Sequence, residues 1–290
     1  MNAHRSPEPR GATCRLCGDS ARLLAERDDL SLFRCARCRF VSGAPDGGVL
    51  PVDHYRGYYE VEQPAAPEGR YHEWLERAES LVGKGRLLEV GAGSGGFVKA
   101  AITRGWRVDA TEISESALEL LRPTGARVLA GDLREIGLSE ASYDLIASLE
   151  VVEHLTDPAA HLRELARLTR PRGALLITTP NFAGLSRRLF GTRWRAVDPE
   201  HLGYFEACTL RNALREAGFA SVTVRTRTLD VTTWGSSVRR AGCPRFDPRA
   251  AAAARERIEA SGLLRLAKHA VNASLGLTGL GDALHAWAVR

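Results

Sequence analysis

A short apolar run, Leu87–Val90, breaks into Gly91-Ala92-Gly93-Ser94-Gly95-Gly96 and passes at once into helix-forming sequence from about Phe97 to Arg104. This is the feature that most limits the fold. Glycine lets a backbone turn tightly and come close to a ligand, and a helix that starts there presents free N–H groups. Such a loop makes sense only at the end of a buried strand, next to a helix laid against a sheet. The rest of the chain agrees with that unit. Strand-like Val108–Glu112 follows, then a helix capped by Ser114 with Ala117, Leu118 and Leu121 on one side. Further strands are expected at Arg127–Ala130, Tyr143–Leu149, Ala174–Thr179, Val222–Thr228 and Leu284–Val289. Asp157-Pro158 reads as the N-cap and first position of a helix that Pro171 ends. Thr209 is expected to cap another helix, ending at Gly218. Alternating strands and helices with short links imply an α/β chain with a mostly parallel sheet covered on both faces. Ligands of such sheets sit beyond the carboxyl ends of the strands.

The loop is G-x-G-x-G rather than G-x-G-x-x-G, which disfavours a dinucleotide, and no phosphate-binding G-x-x-x-x-G-K-[ST] occurs. Two acids complete the array. Glu112 ends the second strand, 17 residues after Gly95, where a carboxylate can accept both hydroxyls of a ribose. Asp132 ends the third, where a carboxylate can accept from an adenine amino group.

Four of the six cysteines form Cys14-x2-Cys17 and Cys35-x2-Cys38, and Cys208 and Cys243 stand alone. Each x2 spacing brings two sulfurs of one tight turn to the same ion, so the pairs suit four thiolates around a tetrahedral zinc. Four filled positions leave none for water, which makes the metal structural. Gly18 follows the first pair, but Arg39 stands at the matching place after the second, so that turn is expected to be strained or different. Residues 13–42 hold too few apolar side chains to fold without such a staple.

Residues 85–220 resemble class I S-adenosylmethionine-dependent methyltransferases. The resemblance rests on LLEVGAGSGGF (Leu87–Phe97), ATEIS (Ala110–Ser114), AGD (Ala130–Asp132), DLIASLEVVEHL (Asp144–Leu155), PRGALLITTPN (Pro171–Asn181) and PEHLGYF (Pro199–Phe205). Ubiquinone-type O-methyltransferases are similar around EVVEHL. The resemblance implies a Rossmann-like seven-stranded, mostly parallel sheet whose last strand is antiparallel, a role that Leu284–Val289 fits. It further implies that Gly91, Gly93 and Gly95 contact the methionine part of the cofactor, that Glu112 holds the ribose and that Asp132 lies at the adenine. Glu89 and Leu133 complete the expected cofactor-binding set. The N-terminal module resembles zinc modules of sugar C-methyltransferases and of natural-product methyltransferases, although the long C-terminal domain of the sugar enzymes is not expected here, which disfavours sugar C-methylation. Certain ribosomal-RNA methyltransferases also carry such a module.

Methyl transfer from a sulfonium is an in-line displacement that needs positioning and, for some acceptors, removal of a proton. His201, on the loop after the fifth strand, and His154, after the fourth, are the candidate bases. Glu150 and Glu153 are candidate substrate contacts or plain polar loop positions. Phe190, Trp194, Tyr204 and Phe205 either wall an acceptor pocket or pack beneath the loop. The expected activity is methylation of a small-molecule acceptor, with O-methylation of a secondary metabolite or modified sugar ahead of N- or C-methylation. An RNA methyltransferase and a non-catalytic, cofactor-binding interaction protein are the alternatives.

The expected organisation is a disordered leader (1–12), a zinc module (13–42), a linker with the tyrosines 55, 58 and 59 and one helix (43–84), and a methyltransferase domain (85–290). That domain carries a two-helix insertion at 239–282, read as a lid, a dimer surface or a plain insertion. Hydrophobic residues make up 44% and charged residues 26%, which supports a packed core and argues against disorder. The net charge of +5 is spread among acids, and all basic residues but Lys84, Lys99 and Lys268 are arginine. A dedicated nucleic-acid surface is therefore not expected. No run of ~20 apolar residues and no apolar core of a signal peptide occur, so a cytoplasmic protein without membrane contact is expected.

Overall fold

The computed structural model describes residues 11–49, 68–229 and 261–290. Most of the expected leader, the tyrosine cluster of the linker, Cys243 and the first of the two insertion helices lie outside the described residues.

The described residues open with β1 (Gly11–Thr13), β2 (Ser20–Arg27), β3 (Leu30–Cys35) and β4 (Val41–Pro45), an antiparallel meander. Helix α1 (Glu68–Val82) leads into β5 (Arg86–Val90), α2 (Gly96–Thr103), β6 (Arg107–Glu112), α3 (Glu115–Leu121) and β7 (Arg127–Ala130). Then come β8 (Tyr143–Leu149), α4 (Pro158–Leu168), β9 (Thr169–Pro180) and α5 (Leu185–Phe190). A two-residue β10 (Gly203–Tyr204), α6 (Ala207–Glu216), β11 (Ser221–Arg227), α7 (Gly262–Thr278) and β12 (Ala283–Val289) follow among the described residues.

Seven strands make one mixed sheet in the order β11-β12-β9-β8-β5-β6-β7. β7, β6, β5, β8 and β9 run parallel, while β12 is antiparallel to both β9 and β11. The central strands are near-continuous apolar runs because both faces are covered. Trp74, Leu75, Phe97 and Val98 from α1 and α2 fill one face. Leu162, Leu165, Leu210 and Leu214 from α4 and α6 fill the other. The chain first goes outward from β5 to β6 and β7, then returns to β8 on the other side of β5. That reversal leaves a crevice beyond the carboxyl ends of β5 and β8.

Two expected helix ends are corrected. α4 is capped by Asp157, whose Oδ1 accepts from the Ala160 amide at 2.9 Å. It stops at Leu168, earlier than Pro171, because Thr169 already enters β9. α6 starts at Ala207 with Glu206 at the N-cap. Thr209 is therefore not a cap. It lies buried in the first turn, with its hydroxyl donating to the Cys38 carbonyl at 3.3 Å.

The small N-terminal sheet is not self-contained. β10, from the loop after β9, pairs with β4 as its fifth strand, with Gly203 opposite Ser42 and Tyr204 opposite Val41. Leu30, Leu32 and Val41 share a core with Phe182, Trp194, Val197 and Tyr204. Phe40 meets Phe205 edge to face at 4.8 Å. The apolar area missing from residues 13–42 is supplied from the larger sheet's loops. Among the described residues, no helix is long and apolar enough to cross a membrane.

Candidate active site

The glycine loop follows from backbone chemistry. Gly91 and Gly95 adopt left-handed φ values of 67° and 76°. A Cβ would meet Val151 at 2.7 Å from Gly91 and Leu121 at 2.8 Å from Gly95. A side chain at either place would be strained and would also clash. The amides of Gly91 and Ala92 both donate to the Thr111 carbonyl, which ties the loop to the end of β6. The Gly93 amide donates to Glu112 Oε2 at 2.8 Å.

Glu112 is buried at the end of β6, and its Oε1 accepts from the amides of Ile113 (2.7 Å) and Ser114 (2.9 Å). The carboxylate is thus locked in one orientation at the cleft wall, and Oε2, which accepts one bond, keeps further acceptor capacity. Glu89, at the end of β5, is buried beneath the loop, and its Oε2 has no hydrogen-bond partner. Burial, and secondly the charge of Glu112, push its carboxyl well above the usual range. Asp132 accepts from the Arg134 amide at 2.9 Å and faces the cleft half-exposed. Leu133 is buried in the core and does not line the cleft.

The opposite end is formed by the turn after β8 and the loop after β9. Glu150 sits at a left-handed φ of 54° and faces the open cleft. Glu153 is buried; its Oε2 accepts from the Thr179 hydroxyl at 3.0 Å, and its Oε1 has no hydrogen-bond partner. Burial first, and then the neighbouring Glu150, raise the Glu153 carboxyl well above its ordinary value. His154 and His201 meet edge to face with ring centroids 4.7 Å apart. His154 Nδ1 bonds the Glu200 carbonyl at 3.1 Å, and His201 Nδ1 bonds the Ala196 carbonyl at 2.8 Å. Burial depresses His154 to about 4, with His201 adding to the effect, and burial also lowers His201. Both imidazoles are therefore neutral at pH 7.

These two ends line one cleft of about 970 Å³, open to solvent. It brings together Glu89, Gly91, Gly93, Glu112, Asp132, His154 and His201. Of the four aromatic candidates only Trp194 lines it. Tyr204, on β10, is buried in the core shared with the small sheet, Phe190 packs against that core, and Phe205 is buried in the core of the larger sheet. Arg70, Tyr71 and Trp74 of α1, His161 of α4 and His285 of β12 also line the cleft. Sequence reading missed them as site residues. Trp74 sat on an apolar stripe that fitted plain packing, and nothing local marks His161 or His285.

The four paired cysteines converge away from this cleft. Cys14 and Cys38 sulfurs lie 3.5 Å apart and those of Cys17 and Cys35 3.6 Å, with all four within 4.8 Å of one another. A tetrahedral ion with ~2.3 Å bonds to sulfur needs sulfurs ~3.8 Å apart. The two turns are alike: the Gly18 amide donates to the Cys14 carbonyl and the Arg39 amide to the Cys35 carbonyl. Arg39 takes the left-handed φ of 64° that Gly18 takes at 76°. The second turn is thus strained rather than different.

The family model described as a methyltransferase domain matches residues 63–224. A malonyl-[acyl-carrier protein] O-methyltransferase of Serratia marcescens is 35% identical over 136 residues, covering 44% of this chain and 52% of that protein. A protein of Mycolicibacterium smegmatis, named a probable S-adenosylmethionine-dependent methyltransferase, is 31% identical over 186 residues, covering 61% of this chain and 69% of its own length. A ubiquinone biosynthesis O-methyltransferase of Dechloromonas aromatica is 33% identical over 119 residues, covering 38% of this chain and 50% of that protein. The chain thus spans about half the length of the Serratia and Dechloromonas proteins. An S-adenosylmethionine-dependent methyltransferase of Archaeoglobus fulgidus shares the fold, with a TM-score of 0.53 at 18% identity over 82% of this chain and 99% of that one. With its α/β fold, its seven-stranded mixed sheet and a family match across more than half its length, the chain belongs to the methyltransferase-domain family.

Proposed function

We propose that this protein is an S-adenosylmethionine-dependent methyltransferase that O-methylates a small-molecule acceptor, a secondary metabolite or modified sugar being the expected class. The observation that carries the reading is the array at the carboxyl ends of β5, β6 and β7. A buried carboxyl with an orphaned oxygen (Glu89), a glycine loop that admits no Cβ at Gly91 and a backbone-locked acid (Glu112) face one cleft. The cofactor fits these groups. Glu89 would accept from its ammonium group, Glu112 would take the ribose hydroxyls and Asp132 the adenine amino group. When bound, S-adenosylmethionine supplies a methyl group already activated on a sulfonium.

The remaining work falls to the acceptor end. His201 and His154 are neutral and carry their protons on Nδ1, so Nε2 of each has the lone pair needed to orient or deprotonate a hydroxyl. Trp194 lines that end of the cleft. Nine acidic residues against three arginines line the cleft, which suits a neutral or cationic small molecule better than a phosphate backbone. The four cysteines would hold a structural zinc.

Calorimetric titration tests the cofactor half. Glu112→Ala should weaken S-adenosylmethionine binding by ~1–3 kcal/mol, through loss of a charged acceptor. Unchanged affinity would refute the ribose assignment. For the acceptor half, His201→Ala should leave that affinity intact and lower turnover ~100-fold.

A further inference from the structure

We infer that Trp74 of α1 and His285 of β12 form an acceptor-selecting corner of the cleft, which takes a flat, hydroxylated aromatic ring in preference to a saturated one. That its occupant is the methyl acceptor rests on the methyl-transfer reading. The ring preference of the corner does not.

Sheet topology builds the corner. β12 pairs antiparallel with β9, which sets His285 opposite Thr178, close to the carboxyl end of β9. The Glu150 amide donates to the Thr178 carbonyl at 3.0 Å, so the turn after β8 reaches the same place. From α1, the Trp74 ring meets the His285 ring with centroids 5.2 Å apart and planes at 78°. Tyr71, one helical turn earlier, lies 6.0 Å from Trp74 and 5.7 Å from Phe97 at the start of α2. A row of rings thus joins the helix that follows the glycine loop to the corner, and Tyr71, Trp74 and His285 all line the cleft.

Trp74 and His285 are only 7% and 5% exposed, yet among the described residues neither the indole N–H nor an imidazole nitrogen has a hydrogen-bond partner. Unlike Nε2 of His161, these nitrogens are not sealed off, and the open space that both residues line is the cleft. Buried indole and imidazole groups normally find partners, so two left without one in the same wall mark a place where a ligand supplies them. Burial, and then the charges of Arg70 and Arg227, lower His285 to about 3. Its ring is therefore neutral at pH 7 and offers one donor and one acceptor. A hydroxyl both donates and accepts, so it can satisfy both residues. Two flat walls nearly at right angles stack a flat ring on one face and meet its edge on the other. A saturated ring makes neither contact and strands its other hydroxyls against apolar surface.

The test reads binding without turnover. The full chain is titrated with phenol and with cyclohexanol, its saturated counterpart, and followed by saturation-transfer NMR. The wild type should bind phenol ~5-fold or more tightly than cyclohexanol. His285→Ala should bind phenol ~5-fold more weakly than the wild type, and His285→Gln, which keeps a donor and an acceptor, should recover part of the loss. S-adenosylhomocysteine, the demethylated cofactor, is titrated in parallel, and its unchanged affinity for His285→Ala checks that the variant folds. A wild type that binds the two alcohols equally overturns the proposal, and so does a His285→Ala protein that binds phenol as well as the wild type. If His285→Ala does not fold, the wild-type comparison decides alone. A wild type that selects phenol but does not bind S-adenosylhomocysteine refutes the methyl-transfer reading and upholds the corner.

Discussion

The amide of Gly43 donates to the carbonyl of Leu202 at 2.9 Å, which fastens the small N-terminal sheet to the residue after His201. A Cβ on Gly43 would fall 2.6 Å from the His201 carbonyl oxygen and 3.3 Å from the Tyr204 ring. The contact is backbone against backbone, so neither side can move aside cheaply. Gly43→Val should lower stability by ~1–3 kcal/mol. It should also speed amide exchange in residues 199–205, as hydrogen-exchange mass spectrometry would show. An unchanged exchange pattern would mean that the loop is held by its own contacts.

The cysteine cluster makes a stoichiometric prediction. Protein purified under reducing conditions should hold about one zinc per chain at the four cysteines, and Cys35→Ser should lose it. Because β4 pairs with β10, the loss should reach further than residues 13–42. Elemental analysis and exchange of the 199–205 segment should change together. Metal-free wild-type protein with an intact segment would defeat the structural role.

Glu89 makes the unliganded protein sensitive to alkaline pH. Its folded-state pKa is raised above the unfolded one, so its contribution to stability is complete below pH ~4.3 and is lost as pH rises toward the folded value. Glu89→Gln cannot ionise. The variant should melt higher than the wild type at neutral and alkaline pH, by ~2–4 °C per kcal/mol regained, and bind S-adenosylmethionine more weakly. Differential scanning calorimetry from pH 5 to 8, with and without cofactor, separates the two effects. A gap between wild type and variant that does not widen with pH would count against a buried, protonated Glu89.

His161 acts at the other end of the pH scale. It is buried, its Nε2 has no hydrogen-bond partner, and burial depresses it to about 4. A depressed histidine contributes stability that is present above pH ~6.5 and lost as pH falls toward 4. His161→Leu removes that proton uptake. In urea titrations it should match the wild type at pH 7 within ~1 kcal/mol and exceed it at pH 5. Parallel acid limbs in the two proteins would show that His161 is not among the groups responsible.

The seven strands, the glycine loop and the acids at its rim were legible because each is written locally. Strand β5 is an unbroken apolar run, Gly91 and Gly95 sit where only glycine fits, and Glu112 ends a strand at a countable distance from them. The cysteine pairs were legible for the same reason, since an x2 spacing is itself a turn. What tertiary structure alone decided has a common physical cause: the contacts join residues far apart in sequence. Tyr204 and Phe205 read as wall or packing, and β10 settled them as packing by joining β4, some 160 residues earlier. His154 and His201 were each legible as a candidate base, but only the reversal at β5 and β8 folds one loop over the other and sets their rings 4.7 Å apart. Residues 13–42 have too little apolar area to fold alone, yet Leu30, Leu32 and Val41 are fully covered. No local pattern could show this, because the surfaces that cover them, Phe182, Trp194 and Tyr204, belong to the other sheet's loops.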